Sequence, residues 1–363
     1  MEHAMLNARQ FGAKGDGKAD DTAAIQKAID AAAEIKGSVF FPDGTYLCST
    51  LKMRDFTGLV AHPTFSYYIP AGAVLKLADP KASCLIDMTT SRGATLNGLC
   101  MIGDNLGTGT HGLWINAVKP RDREDAFRIE RCMISRFSGD GIHMGFAWCF
   151  SIRSAIVGMN KGHGLWLCGY DGFIIDSWLS GNGGAGIFCP GVNSSNTITA
   201  NRIEWNAGGG MRLFGGNHYN ITGNYIDRSG GPAIALMERT GAPNQCLTIT
   251  GNVLNRSGKP EWTNEKDDAE SSHFRLENGH GVVFSSNTMC VGTDDGKGQF
   301  SPNYGMVLRR LKNCIVKDNS MHIGALKQLI LDLGEHGEGV VIKDNVGNLY
   351  IDRSKSIWDS DER

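Results

Sequence analysis

Little in this sequence ties it to a charged partner or to a membrane. Its 363 residues carry 36 basic and 38 acidic side chains, a formal net charge of −2, with no basic field and no acidic tail. Nucleic acid, which is held through concentrated positive charge, is therefore not an expected partner. No stretch approaches the ~18 consecutive apolar residues of a membrane span. The ten cysteines contain no CxxC pair and no His/Cys ligand spacing, so neither a zinc-type centre nor a dithiol redox motif is expected. Cys132, Cys189 and Cys314 fall at or beside strand positions, where a small apolar residue packs well, and mostly free thiols are expected. The N-terminal MEHAMLNARQ has no apolar signal core. It begins either a cytoplasmic or phage protein or one whose signal has been replaced, with a secreted or phage-associated setting expected over a cytoplasmic one.

Glycine, by contrast, is abundant, with 48 residues against 10 prolines. Between residues 127 and 225 the chain repeats itself about every 23 residues, as in FRIERCMISRFSGDGIHMG, FSIRSAIVGMNKGHGLWLC, FIIDSWLSGNGGAGIFCPG and TITANRIEWNAGGGMRLFG. Each copy has an apolar strand, a polar corner, a second apolar patch, a glycine cluster and a three-residue exit strand. A period of this length built from short strands predicts a solenoid, whose coils complete their core only by stacking. Asn201, Asn224, Asn252, Asn287, Asn319 and Asn345 each follow a short apolar strand, and Asn160, Asn182 and Asn206 open the corners before exit strands. Both sets are expected to form hydrogen-bonded ladders rather than catalytic groups.

Residues 11–47 read FGAKGDGKADDTAAIQKAIDAAAEIKGSVFFPDGTYL. Asp20, Asp21 and Thr22 offer N-caps; Ala24, Ile25, Ala28, Ile29 and Ala32 make an apolar stripe; Gly37 ends the helix. Such a helix would cover the open end of a stack. This segment resembles the N-terminal signature of the pectate-lyase-like superfamily, shared with phage tailspikes and mannuronan C5-epimerases. The resemblance implies an all-β fold, a right-handed parallel β-helix, and a carbohydrate ligand. The expected organisation is one domain over 1–363, with a cap segment at 8–37 and roughly a dozen coils over 38–351. Insertions at 117–126, 257–272 and 292–303 are polar and turn-rich, and are expected to wall a cleft.

Aligned on the glycine corners, the middle residue of each exit strand faces outward, because side chains alternate along a strand. That column reads Trp114, His143, Trp166, Phe188, Arg212, Ala235 and Arg275. Aromatic rings suit stacking on sugars, and Arg212 suits a substrate carboxylate. Three residues earlier the same alignment stacks His111, Asp140 and His163. The candidate catalytic set is His143, Asp140, His163 and Arg212. The candidate binding set is Trp114, Trp166, Phe188, His111, Tyr170, Asp171, Glu238 and Arg275, with His218 and Tyr219 beside the same face.

β-Elimination from a uronic acid chain needs a base at C5, neutralisation of the carboxylate and an acid at the leaving oxygen. His143 or His163 fits the base, Arg212 the carboxylate, and Asp140 the orienting group. Hydrolysis would instead need two carboxylates, with Asp140, Asp171, Glu238 and Glu277 as candidates. Galacturonan hydrolases also carry a Gly-His-Gly like Gly162–Gly164, but their Asn-x-Asp and Asp-Asp elements are missing from the matching coils. The expected function is cleavage of a polysaccharide, with lyase chemistry on an acidic glycan ahead of hydrolysis. A phage or surface carbohydrate-binding protein, monomeric or trimeric, is the alternative. No cofactor is predicted, since the column offers few carboxylates for the calcium that pectate lyases generally use.

Overall fold

Three-residue strands separated by corners are too short for stable hairpins, and each can pair only with its counterpart one coil on. The computed structural model describes residues 5–117, 122–259, 268–293 and 299–349. Its architecture is all-β: a parallel solenoid of the right-handed β-helix type, with one α-helix near the N-terminus. The chain divides into two units, Met1–Gly183 and Gly184–Arg363. The inner parts of the three predicted insertions, 118–121, 260–267 and 294–298, lie outside the described residues.

In the first unit the helix spans Thr22–Glu34 and buries Ile25, Ala28, Ile29 and Ala32. Ala24, expected in the same stripe, is only half-buried. Asp21 occupies the N-cap without capping the helix through its side chain. Its carboxylate turns back to accept the Lys14 and Gly15 amides at 2.7 and 3.0 Å, which fixes the glycine-rich loop ahead of the helix. The exit strands then stack in register: Leu113 beside Ile142 beside Leu165, and Trp114 beside His143 beside Trp166. Ile142, Met144, Leu165 and Leu167 are fully buried, so the intervening residues face outward. A second ladder sets Cys100, Met133, Ile156 and Trp178 side by side.

The second unit repeats the arrangement. Ile187, Met211, Ile234 and Phe274 share an inward row, and Phe188, Arg212, Ala235 and Arg275 the adjacent one, in the predicted register. Its corners carry the predicted asparagine ladder. From Asn201 through Asn224, Asn252, Asn287 and Asn319 to Asn345, each side-chain Nδ2 donates to the next Oδ1 at 2.9–3.0 Å. Each Oδ1 also accepts the backbone amide of the preceding asparagine. The residues just before these asparagines, Ala200, Gly223, Gly251, Ser286, Asp318 and Asp344, all have φ between 55 and 66°. The ladder thus holds a left-handed turn that only two glycines adopt without strain. In the first unit Asn160 and Asn182 form the same bond at 2.9 Å. All ten cysteines are free, six of them buried.

Asn224→Ala removes one rung and strands the Asn201 amide and the Ile198 carbonyl, both bonded to it. Urea titration should register a loss of about 2–3 kcal/mol for the second unit, the scale of buried groups left unsatisfied. His273 is fully buried, and neither ring nitrogen has a hydrogen-bond partner of good geometry among the described residues. Burial pushes its pKa down to about 3 from 6.5. The unfolded chain therefore takes up a proton that the folded chain refuses, and stability falls as pH drops from about 6.5 towards 3. His273→Leu should flatten the pH dependence of the urea midpoint across that window.

Candidate functional site

The glycine corner Gly139–Gly141 puts Asp140 on the wall of the first unit, and three histidines converge on it. Asp140 is 5% exposed. Its Oδ2 takes the His143 Nδ1 proton at 2.7 Å and its Oδ1 takes the His163 backbone amide at 2.7 Å. A side chain at Gly162 would collide with Oδ1, so glycine there is what lets the next coil close over the carboxylate. Burial on its own would raise the Asp140 pKa. The hydrogen bonds on its oxygens outweigh that and hold the carboxyl well below its usual range.

These bonds fix two opposite tautomers. His143 donates Nδ1–H to Asp140, and its Nε2 has no partner among the described residues. His111 Nδ1 lies 3.3 Å from Asp140 Oδ2 but 2.9 Å from the Asp140 backbone nitrogen, whose N–H it accepts. A ring nitrogen that accepts an N–H cannot also donate to the carboxylate. We therefore assign His111 as the neutral Nε2–H form, with Oδ2 a close neighbour rather than an acceptor. The two ring centroids are 4.7 Å apart, tilted by 52° to one another.

Trp114 and Trp166 clamp His143 between them, stacked at 4.5 and 5.0 Å with interplanar angles of 23 and 24°. His111 leans on Trp114 at 4.6 Å, and His163 meets Trp166 edge-on at 5.6 Å. This corrects the expectation of open aromatic platforms. One face of each indole is spent on the imidazole, and the rings point their edges towards solvent. His143 remains reachable at 17% side-chain exposure.

The other predicted residues behave differently. Tyr170 packs edge-on against Phe146 at 5.1 Å. Asp171, midway along the strand Leu165–Ile175, accepts the Trp148 indole N–H at 2.9 Å and does not join Asp140 as a catalytic pair. In the second unit Phe188 meets Phe214 edge-on at 5.7 Å. Arg212 is not a free guanidinium, because Glu270 grips it through both terminal nitrogens at 2.7 and 3.2 Å. Ala235 is fully buried and Arg275 nearly so, with Arg275 bridging Glu270 at 2.7 Å and Glu277 at 2.8 Å. Glu238 pairs with Arg310. Tyr219 is an interior residue whose hydroxyl accepts the Asn196 amide at 3.0 Å. Glu270 was not singled out from the sequence, where it falls in an irregular insertion without repeat register. Lys52 and Asp87 were also missed. They extend the Trp114 row by register, but their coil has no glycine corner to align on.

Among the described residues, His111, Asp140 and His143 are the group whose ligand atoms all lie within 4.8 Å of one another. Both Nδ1 atoms are already committed, one to the carboxylate and one to an amide, so the donor set fits hydrogen bonding better than a cation. No described helix is long and apolar enough to cross a membrane.

Sequence comparison agrees with this architecture. Residues 5–71 match the model described as rhamnogalacturonase A/epimerase, pectate lyase-like. The model for the right-handed β-helix region matches 140–289 and 191–355, together more than half of the chain. The chain belongs to the right-handed β-helix family, in the pectate-lyase-like superfamily of carbohydrate-active proteins. Within it, the mannuronan C5-epimerase AlgE3 of Azotobacter vinelandii is 32% identical over 48% of this chain and 10% of its own length. A capsule K30/K69-specific depolymerase of Klebsiella phage K5-2 is 29% identical over 39% of this chain and 19% of its own. The chain thus spans a tenth to a fifth of these two β-helix relatives. The solved A-module of the A. vinelandii epimerase AlgE4 superposes with a TM-score of 0.60, covering 94% of this chain and all of that one at 18% identity. At that identity the likeness is one of fold.

A carboxyl held low in the folded state contributes stability above its unfolded pKa of about 3.9, and that contribution disappears as pH falls through the folded value. Asp140→Asn should therefore lower the urea midpoint at neutral pH. The gap to the parent protein should hold down to about pH 4 and close only below it. A gap unchanged in strong acid would show that the substitution acts through packing instead.

Proposed function

We propose that this chain cleaves an acidic polysaccharide by β-elimination, with His143 as the proton-transfer group. The supporting observation is the fixed placement of His143: Asp140 holds Nδ1, two indoles hold the ring plane, Nε2 has no partner among the described residues, and the side chain remains 17% exposed. Nε2 takes the proton from C5 of a uronate, the C–H pair becomes the C4=C5 double bond, and the C4–O bond breaks. The same proton then passes from Nε2 to the departing oxygen, which returns His143 to its starting form. The transient positive charge on the ring meets the Asp140 carboxylate and two π-faces.

His111 stays neutral and donates Nε2–H to the charge that builds on the uronate carboxylate, a role open to imidazole when its other nitrogen is an acceptor. His163 serves through its backbone amide, which fixes Asp140. Arg212, held by Glu270, is not needed for these steps. Hydrolysis has less support, because Asp140 is buried under its donors while Glu238 and Glu277 are ion-paired. Secretion or attachment to a phage particle suits a polysaccharide substrate.

Incubation with polymannuronate and polygalacturonate, followed for ultraviolet absorbance of unsaturated uronate and for reducing ends, tests the reading. Both signals together support it. Reducing ends alone would favour hydrolysis, and binding without either would favour a recognition protein. His143→Ala should lower turnover by roughly 10²–10⁴-fold and, because Asp140 loses a donor, lower the melting temperature modestly while circular dichroism still reports the folded chain. Full activity in that variant refutes the assignment.

A further inference from the structure

The strand Ile142–Arg153 carries His143 near its start and an open groove at its other end. The groove, with a volume of about 510 Å³, is lined by Arg128, Ser151, Arg153 and Phe173. Register places Arg128 beside Ser151 and Ser151 beside Phe173, so three consecutive coils each contribute one outward side chain at ~4.8 Å spacing. Ser151 Oγ accepts Arg153 Nε at 3.0 Å, and the guanidinium lies 6.0 Å from the centre of the Phe173 ring. Those two contacts steady Arg153, and its terminal nitrogens have no hydrogen-bond partner among the described residues.

Among the described residues, no ion pair accounts for these side chains. Arg128 is exposed and has neither an ion pair nor a side-chain hydrogen bond among the described residues. Phe173 leaves 45% of its surface in solvent. Glu130 also lines the groove, yet pairs with neither arginine. Asp171, on the wall, is occupied by the Trp148 indole. An open apolar ring sharing one groove with two guanidiniums is a combination suited to a sugar that carries an anionic group: the ring packs on the sugar face and each arginine on a carboxylate.

We propose that this groove binds a second, non-reacting stretch of an anionic polysaccharide, with Phe173 under a sugar ring and Arg128 and Arg153 on its carboxylates. The proposal rests on the reading that the chain acts on a uronic acid polymer. It adds a remote anchor that raises the local concentration of long chains at the histidine site. Its mark is dependence on substrate length, with long polymers gaining and short oligomers not.

The test uses the full chain with His143→Ala, so that binding is read without turnover. Isothermal titration with a long oligomannuronate should show affinity falling about tenfold for Arg128→Ala and about tenfold for Arg153→Ala, each the loss expected for one charge-assisted contact. Phe173→Ala should weaken binding several-fold by a route that leaves the charges intact. A mannuronate trisaccharide and a neutral cello-oligosaccharide should bind alike with and without the arginines. Unchanged affinity for the long probe, or an equal loss for the trisaccharide, overturns the proposal. The lyase reading is judged separately, by cleavage with His143 intact, so the failure of one is distinguishable from the failure of the other.

Discussion

Parallel coils only ~4.8 Å apart bring like side chains into contact whether or not they attract. Apolar residues benefit on the inside, where Ile142, Leu165, Met211 and Ile234 fill the core. Polar residues in such a column must either share hydrogens or repel. Asparagine solves this at the corners, since its amide donates to one neighbour and accepts from the other. On the outer wall the first unit uses rings, which tolerate close parallel stacking. The second instead uses a carboxylate, Glu270, placed between Arg212 and Arg275.

The histidine site follows from the same spacing. A lone Asp140 so deep would be expensive as an anion, and His143 in its own coil together with the His163 amide one coil on supply the hydrogen bonds that keep it charged. His111 contributes the reverse arrangement, accepting from the backbone of the residue whose side chain holds His143. One residue thereby sets the protonation pattern of both rings, through its carboxylate for one and its amide for the other. That economy makes the pair more than two adjacent histidines.

Much of this was legible in the sequence, for a physical reason. A solenoid converts sequence period into spatial adjacency, so aligning glycine corners placed Trp114, His143 and Trp166 in one row, and His111 and Asp140 beside them. The N-terminal helix and the asparagine ladder could be read in the same way. What failed was anything dependent on side-chain orientation or on irregular segments. Alignment gives the row but not the plane of the rings, and so flat platforms were expected where edges are presented. It gave Arg212 an outward place but not its partner, because Glu270 precedes its strand in a stretch without the repeat. Asp171 shares a strand with Trp166 yet lies past a corner, at a groove the period does not describe.

The stacking of Trp114, His143 and Trp166 has a thermodynamic consequence. On the proposed reading, a glycan lying along this row would meet ring edges and polar atoms instead of broad hydrocarbon faces, so little new apolar area would leave water when it docks. Burial of apolar surface is what gives association a large negative heat capacity change. Recognition here should therefore be governed by enthalpy and by the direction of hydrogen bonds, changing little in strength with temperature. The imidazole, gripped on both faces, can meet its substrate only within its own plane, and so the clamp selects the angle of approach as well as the ligand.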